Sequence, residues 1–225
     1  MTHPAFEFDA AAVARLHDHY NQHPAWPNVV DFAETEATTW APDFRAALLD
    51  NHRCNARLWC EEDLARRQRA PDAEIVANKR AIDAFNQARN NAIERMDEYL
   101  LLTLGLVDPG SVTQAQALSR APAGARLNSE TVGSMVDRVS ILSLKIKAMA
   151  EQTRRTDVDD RHRADATAKL ARLNEQRQDL CDCMRQLIAD CQTGTAYFKI
   201  YRQFKMYNDP NYNLALVKER AAVPR

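Results

Sequence analysis

Apolar residues recur along this chain at helical spacing, and in two stretches an arginine interrupts the stripe at the same place. Ile82, Phe85, Arg89, Ala92, Met96 and Tyr99 follow the spacing of a core-facing helix face, and Leu170, Leu173, Arg177, Leu180, Met184 and Leu187 repeat it 88 positions later. The same offset aligns Arg66 with Arg154, Asn86 with Asn174 and Met96 with Met184, which reads as a faint internal duplication. A third stripe, Met135, Val139, Leu142, Ile146 and Met149, marks another long helix. A guanidinium keeps its charge at ordinary pH, so inside a stripe it needs an acid, a carbonyl cage or an anionic ligand.

Breakers divide the pattern. Pro42 and Asp43 start a helix that runs to about 67, Pro71 and Asp72 form a turn, and Gly105, Pro109 and Gly110 end the next helix. Asn128 or Ser129 serves as N-cap for the third. The predicted long helices are 43–67, 73–104, 129–153 and 165–190, preceded by a short helix from about Asp9 to Tyr20 and a loop with Pro24, Trp26 and Pro27. The expected fold is all-α: an antiparallel four-helix bundle made of hairpins at about 43–104 and 128–190. Residues 1–42 are read as an arm packed on a single domain of 43–225, with a C-terminal helix and turn at 194–213.

Composition supports helix over sheet, with only 5 glycines among 225 residues and 45% hydrophobic residues. Thirty basic against thirty-one acidic residues leave a net charge of −1, which excludes a global field for nucleic acid or anionic membrane. The longest apolar stretch, Tyr99 to Val107, is too short to span a bilayer, and the N-terminus lacks a secretory pattern, so a cytoplasmic protein without membrane insertion is expected. Cys54, Cys60, Cys181, Cys183 and Cys191 form no metal-type spacing and read as free thiols.

Chemistry concentrates on a few faces. Asn55, Trp59, Glu62 and Arg66 share one side of the first long helix, either as a polar ligand face or as a solvated one with a Glu62–Arg66 pair. Asn86 and Asn90 follow on the second. Glu94 and Asp97 stand at i, i+3, a spacing that with Glu61 or Glu62 opposite resembles the acidic pattern of Mg²⁺-dependent all-α nucleotide pyrophosphohydrolases, although one further acid of that pattern is missing. Mg²⁺ enters only under that alternative, and no other cofactor is specified. Asp137 falls on an apolar line and is the natural partner of Arg89 or Arg177; Arg138 and Lys145 are a ligand clamp or surface charge. In the run Tyr197 to Pro210, aromatics interleave with Lys199, Arg202 and Lys205. Arg202, Lys205 and Asn208 are expected to line the same cleft as Arg89, Asn86 and Glu62. Anion donors would then be Arg89, Arg177 and Arg202; amide readers Asn55, Asn86 and Asn90; an acid/base pair Glu62 and Asp137.

The boxes Leu58-Trp59…Glu62-Asp63…Ala65-Arg66-Arg67, Lys79-Arg80…Asn86-Gln87…Arg89-Asn90…Ile93-Glu94, Asn128-Ser129-Glu130…Asp137-Arg138…Lys145 and Tyr201-Arg202-Gln203-Phe204-Lys205-Met206-Tyr207-Asn208-Asp209-Pro210 resemble the bacterial family known as domain of unknown function 4254. The resemblance extends over nearly the whole chain beyond the arm, and the last box is its most specific part. Cys60 stands where that family often has His, and Asn91 where it often has Asp. The resemblance implies a cytoplasmic helical protein connected with glycosyltransferases of lipopolysaccharide assembly, and supplies no established activity. The resulting expectation is a protein that binds, with or without turnover, a small phosphorylated ligand such as a sugar phosphate or nucleotide sugar. Its rival is a non-catalytic partner of a glycosyltransferase.

Overall fold

The computed structural model describes residues 8–28 and 40–222. It is mostly helical. In chain order it comprises α1 (Ala10–Gln22), α2 (Pro42–Ala65), α3 (Asp72–Thr103), β1 (Arg126–Leu127), α4 (Val132–Thr153), α5 (Asp160–Gln192), β2 (Ala196–Tyr197) and α6 (Leu214–Ala222). α2 packs along α3 and α4 along α5, while α4 also touches α1, α2 and α3. The most apolar of the long stripes thus lies at the centre, and it is α4 that every candidate site residue of the interior meets.

Local chemistry explains the helix ends. Asp9 caps α1 by accepting from the Ala11 and Ala12 N–H groups, and Pro42 opens α2, where its missing N–H costs nothing. α4 begins two or three residues later than a Ser129 or Asn128 cap would place it, because Thr131 and Ser134 form a reciprocal capping box; Asn128 instead donates to the Glu130 carbonyl. α5 starts at Asp160 rather than 165, since Asp159 caps it through the His162 N–H at 2.8 Å and draws the charged run into the helix.

The segment 194–213 is not the expected helix. Gly194 takes φ 74, the left-handed conformation that ends α5, and β2 then pairs in parallel with β1, Arg126 opposite Ala196 and Leu127 opposite Tyr197. The β-favouring run of aromatic and branched residues there continues into Phe198, which is fully buried. Helix returns only at α6, none of whose residues is buried.

One apolar cluster gathers residues from α1 through α5, including Val13, Phe44, Leu48, Met96, Leu100, Val136, Val139, Met184 and Phe198. α3 approaches α4 closely at Gly133, where a Cβ would stand 2.6 Å from the Ile93 carbonyl oxygen and 2.8 Å from Asp97 Oδ1. Glycine is required there by contact. Among the described residues no helix is long and apolar enough to cross a membrane.

Candidate functional site

The interface of α2, α3 and α4 carries a line of polar groups inside an otherwise apolar seam. Asn51, His52 and Asn55 come from α2, Asp137 and Ser140 from α4, and all five are buried. Positions i and i+4 bring Asn51 and Asn55 onto one face, as i and i+3 do for Asp137 and Ser140. Asp137 Oδ1 accepts from Asn51 Nδ2 and Asn55 Nδ2, each at 2.9 Å. From α3, Arg89 reaches the same carboxylate twice, Nε to Oδ1 at 2.7 Å and Nη2 to Oδ2 at 2.5 Å. That hydrogen-bonded contact raises the Arg89 pKa against the opposing effect of burial.

The line continues toward α1. Asn55 Nδ2 also donates to Ser140 Oγ at 3.0 Å, and Ser140 Oγ shares a 2.8 Å hydrogen bond with His52 Nδ1. The His17 ring stacks on His52 at 4.3 Å, and Trp26 lies along His52 at 5.1 Å. Burial drives the His52 pKa down to about 3, and burial followed by the repulsion of His52 and Arg177 drives His17 well below its ordinary value. Both rings are therefore neutral near pH 7.

Above this network opens a cleft of about 330 Å³ lined by Asn55, Trp59, Glu62, Arg66, Asn86 and Arg89, with Leu58, Asp63, Ile141 and Leu144. Six residues singled out on two different helices by their spacing thus meet in one depression. Within it Arg66 Nη1 donates to Glu62 Oε2 at 2.6 Å on the exposed rim. Trp59 is also a wall of a second cleft of about 390 Å³, where Ala148, Met149 and Leu173 form an apolar floor beside Lys145, Lys169 and Arg172. Lys169 is paired with Asp165 at 2.7 Å. Lys145 and Arg172 have no carboxylate partner among the described residues.

Other nominated residues lie elsewhere. Arg177 does turn inward, but toward Asp18 of α1 at 2.6 Å and Ser143 at 3.0 Å, so the two stripe arginines have unlike partners. Arg202 does not reach the cleft: Nη1 donates to Glu94 at 2.8 Å, while Nη2 meets Glu98 at 2.5 Å and the Val112 carbonyl at 2.7 Å. Two carboxylates outbid an open cleft for this cation. Lys205 and Asn208 follow on that segment and line no part of the cleft, nor does half-buried Asn90. Arg138 is paired with Glu130 at 2.6 Å.

The carboxylates considered for Mg²⁺ are likewise committed separately. Glu62 holds Arg66, Glu94 holds Arg202, and buried Asp97 accepts from the Gly133 N–H at 2.7 Å. Burial raises the Asp97 pKa to about 7 against the bonds from Thr131 and Gly133, with Glu94 and Glu98 adding to the rise. Among the described residues no three His, Cys, Asp or Glu side chains are grouped to hold a metal. Asp137, nominated as half of an acid/base pair, spends its oxygens on four internal donors.

The model of a family of proteins of unknown function, DUF4254, matches residues 45–200. The chain belongs to this family. The match takes in every residue of both clefts and ends before the box Tyr201 to Pro210, so that box lies outside the shared region. No curated protein and no solved structure matches the chain.

Sequence reasoning did not find Asn51, His52, Ser140 and His17. A signal existed for two of them: Asn51 and Ser140 are polar residues at positions where the flanking Leu48, Leu58, Val136 and Val139 mark an inward face. His17 had none, since its partner lies on another helix.

Proposed function

We propose that the two clefts flanking Trp59 bind a small phosphorylated, hydroxyl-bearing ligand. The observation that carries this reading is that two unlike clefts share Trp59 as a wall. One presents amides and an acid that suit hydroxyl groups, Asn55, Asn86 and Glu62; the other presents an apolar floor beneath the uncommitted cations Lys145 and Arg172. We take the sugar to lie against the polar half and the phosphoryl group to meet the cations, with Trp59 covering one face of the ligand. The scaffold around them is read as an antiparallel four-helix bundle, in which Arg89 and Asp137 act by holding Asn55 in place rather than by touching the ligand.

By the family resemblance, the ligand class is a sugar phosphate or nucleotide sugar of envelope polysaccharide or lipopolysaccharide assembly, handled in the cytoplasm. Isothermal titration with a hexose 1-phosphate, a uridine diphosphate hexose and the free hexose tests the reading. Both phosphorylated compounds should bind and the free sugar should not; equal heats for all three, or none, would refute it.

A second reading, a non-catalytic partner of a glycosyltransferase, draws on the self-pairing of Arg89 with Asp137 and of Arg66 with Glu62. Under it the polar seam serves helix register alone.

A further inference from the structure

The segment after Phe198 carries its apolar side chains on the outside. Tyr201, Phe204, Met206, Tyr207, Tyr212 and Leu214 are each between 58% and 78% exposed. The contacts that hold the segment are polar instead. Arg202 donates to Glu94 and Glu98 of α3 and to the Val112 carbonyl, the Gln203 N–H donates to Glu94 at 3.2 Å, and Asn213 closes the turn by donating to the Tyr207 carbonyl at 2.7 Å. α6, which follows, buries none of its residues. An aromatic side chain carries about 150–250 Å² of surface, so six side chains this open leave on the order of 800 Å², mostly apolar, in contact with water. That exceeds the largest apolar patch of an ordinary monomer, about 300–600 Å². It matches what each partner contributes to a stable protein interface, about 800 Å².

We propose that this face is the interface of a homodimer, in which the segment 201–214 of one copy packs on the same segment of a second copy about a twofold axis. The charges on the segment choose the occupant. Arg202 is spent on Glu94 and Glu98, which leaves Lys205 and Asp209, four positions apart and without ion pairs among the described residues. A patch with one free charge of each sign is complementary to itself: the twofold axis sets Lys205 of each copy against Asp209 of the other. Nucleic acid or an anionic membrane would call for a surplus of cations, and Lys205 and Asp209 cancel.

Sedimentation equilibrium of the whole chain tests this. Interfaces of such size bind in the micromolar range or tighter, so the dimer should dominate at about 50 μM. Phe204→Asp with Tyr207→Asp should raise the dissociation constant by about a hundredfold or more. Circular dichroism should show unchanged helix content, because both side chains are exposed in the single chain. Lys205→Glu alone and Asp209→Lys alone should each weaken self-association by about tenfold or more, since like charges then face each other twice. Mixed in equal amounts, those two variants should associate again as an unlike pair, which a contact elsewhere on the chain would not reproduce. Trp59→Ala should leave the dimer intact, which keeps this test apart from that of the ligand clefts. A wild type that stays monomeric at about 50 μM overturns the proposal, as do assemblies that keep growing with concentration, the mark of a head-to-tail contact. So does a dimer that survives Phe204→Asp with Tyr207→Asp, a loss of helix content in that variant, or charge variants that associate no better mixed than apart.

Discussion

Arg89 holds both carboxylate oxygens of Asp137, at 2.7 and 2.5 Å, in a seam where the acid is 3% exposed. The pair ties α3 to α4, and through Asn51 and Asn55 it also ties in α2. Removing one member leaves the other charge buried and uncompensated. Arg89→Met should therefore lower stability by about 3–5 kcal/mol, whereas Arg89→Met with Asp137→Leu should recover most of that loss. Urea denaturation of the two variants checks both signs; equal losses would contradict the dependence of buried Asp137 on Arg89.

Gly133→Ala should destabilise by about 1–3 kcal/mol, because the new Cβ meets main-chain oxygen of Ile93 rather than a yielding side chain. Asp97 would be displaced from the Gly133 N–H by the same movement. A neutral effect in chemical denaturation would show that α3 and α4 are less tightly apposed than described.

Acid should weaken the fold in a window set by the histidines. His17 and His52 titrate well below their ordinary 6.5 when folded, so the unfolded chain takes up their protons first and stability present above about pH 6.5 is lost as pH falls, for His52 down to about 3. Asp97 acts in the opposite sense. Its pKa rises from 3.8 to about 7 on folding, so its contribution is greatest at low pH and is lost as pH rises through 7. Between about pH 4 and 6.5 the proton that folded Asp97 retains opposes the one that unfolded His52 takes up, and His17 adds to the histidine side. Asp97→Asn should steepen the fall of stability with falling pH by about 1.4 kcal/mol per pH unit; an unchanged or shallower slope would contradict the assignment.

Arg202→Ala should act on the C-terminal segment rather than on ligand. Its partners Glu94 and Glu98 would be left without their cation, at a cost of about 1–3 kcal/mol. Hydrogen exchange should quicken from Tyr201 to Asn213 while affinity for the phosphorylated probes stays unchanged. Lost affinity with unaltered exchange would restore Arg202 to the cleft.

Those two opposite roles for arginines show what was legible in the chain. Helix faces were, because the 3.6-residue period and the breakers Pro42, Pro71 and Gly105 act locally. For the same reason Asn55, Trp59, Glu62, Arg66, Asn86 and Arg89 could be grouped by face, and the Arg89–Asp137 pair could be anticipated from the cost of each charge alone. The fate of Arg202 could not. It depends on how the segment after Phe198 crosses α3, and aromatic spacing there suited a helix as well as the extended run that Gly194 and the β1–β2 pairing produce. The His17–His52 stack was equally hidden, since nothing in a sequence says which two histidines a helix crossing will superpose.

The most direct test of the clefts around Trp59 as a ligand site is the thermal shift of wild-type protein and Trp59→Ala with a uridine diphosphate hexose. At about a hundred times its dissociation constant a ligand stabilises by about 2.7 kcal/mol, which for a chain of this length corresponds to a rise of about 5–10 °C. The wild type should show that rise and Trp59→Ala should not, although the variant, having lost a side chain that is 36% exposed, should melt close to the wild type when free. An equal rise in both proteins would contradict the site, as would no rise in the wild type.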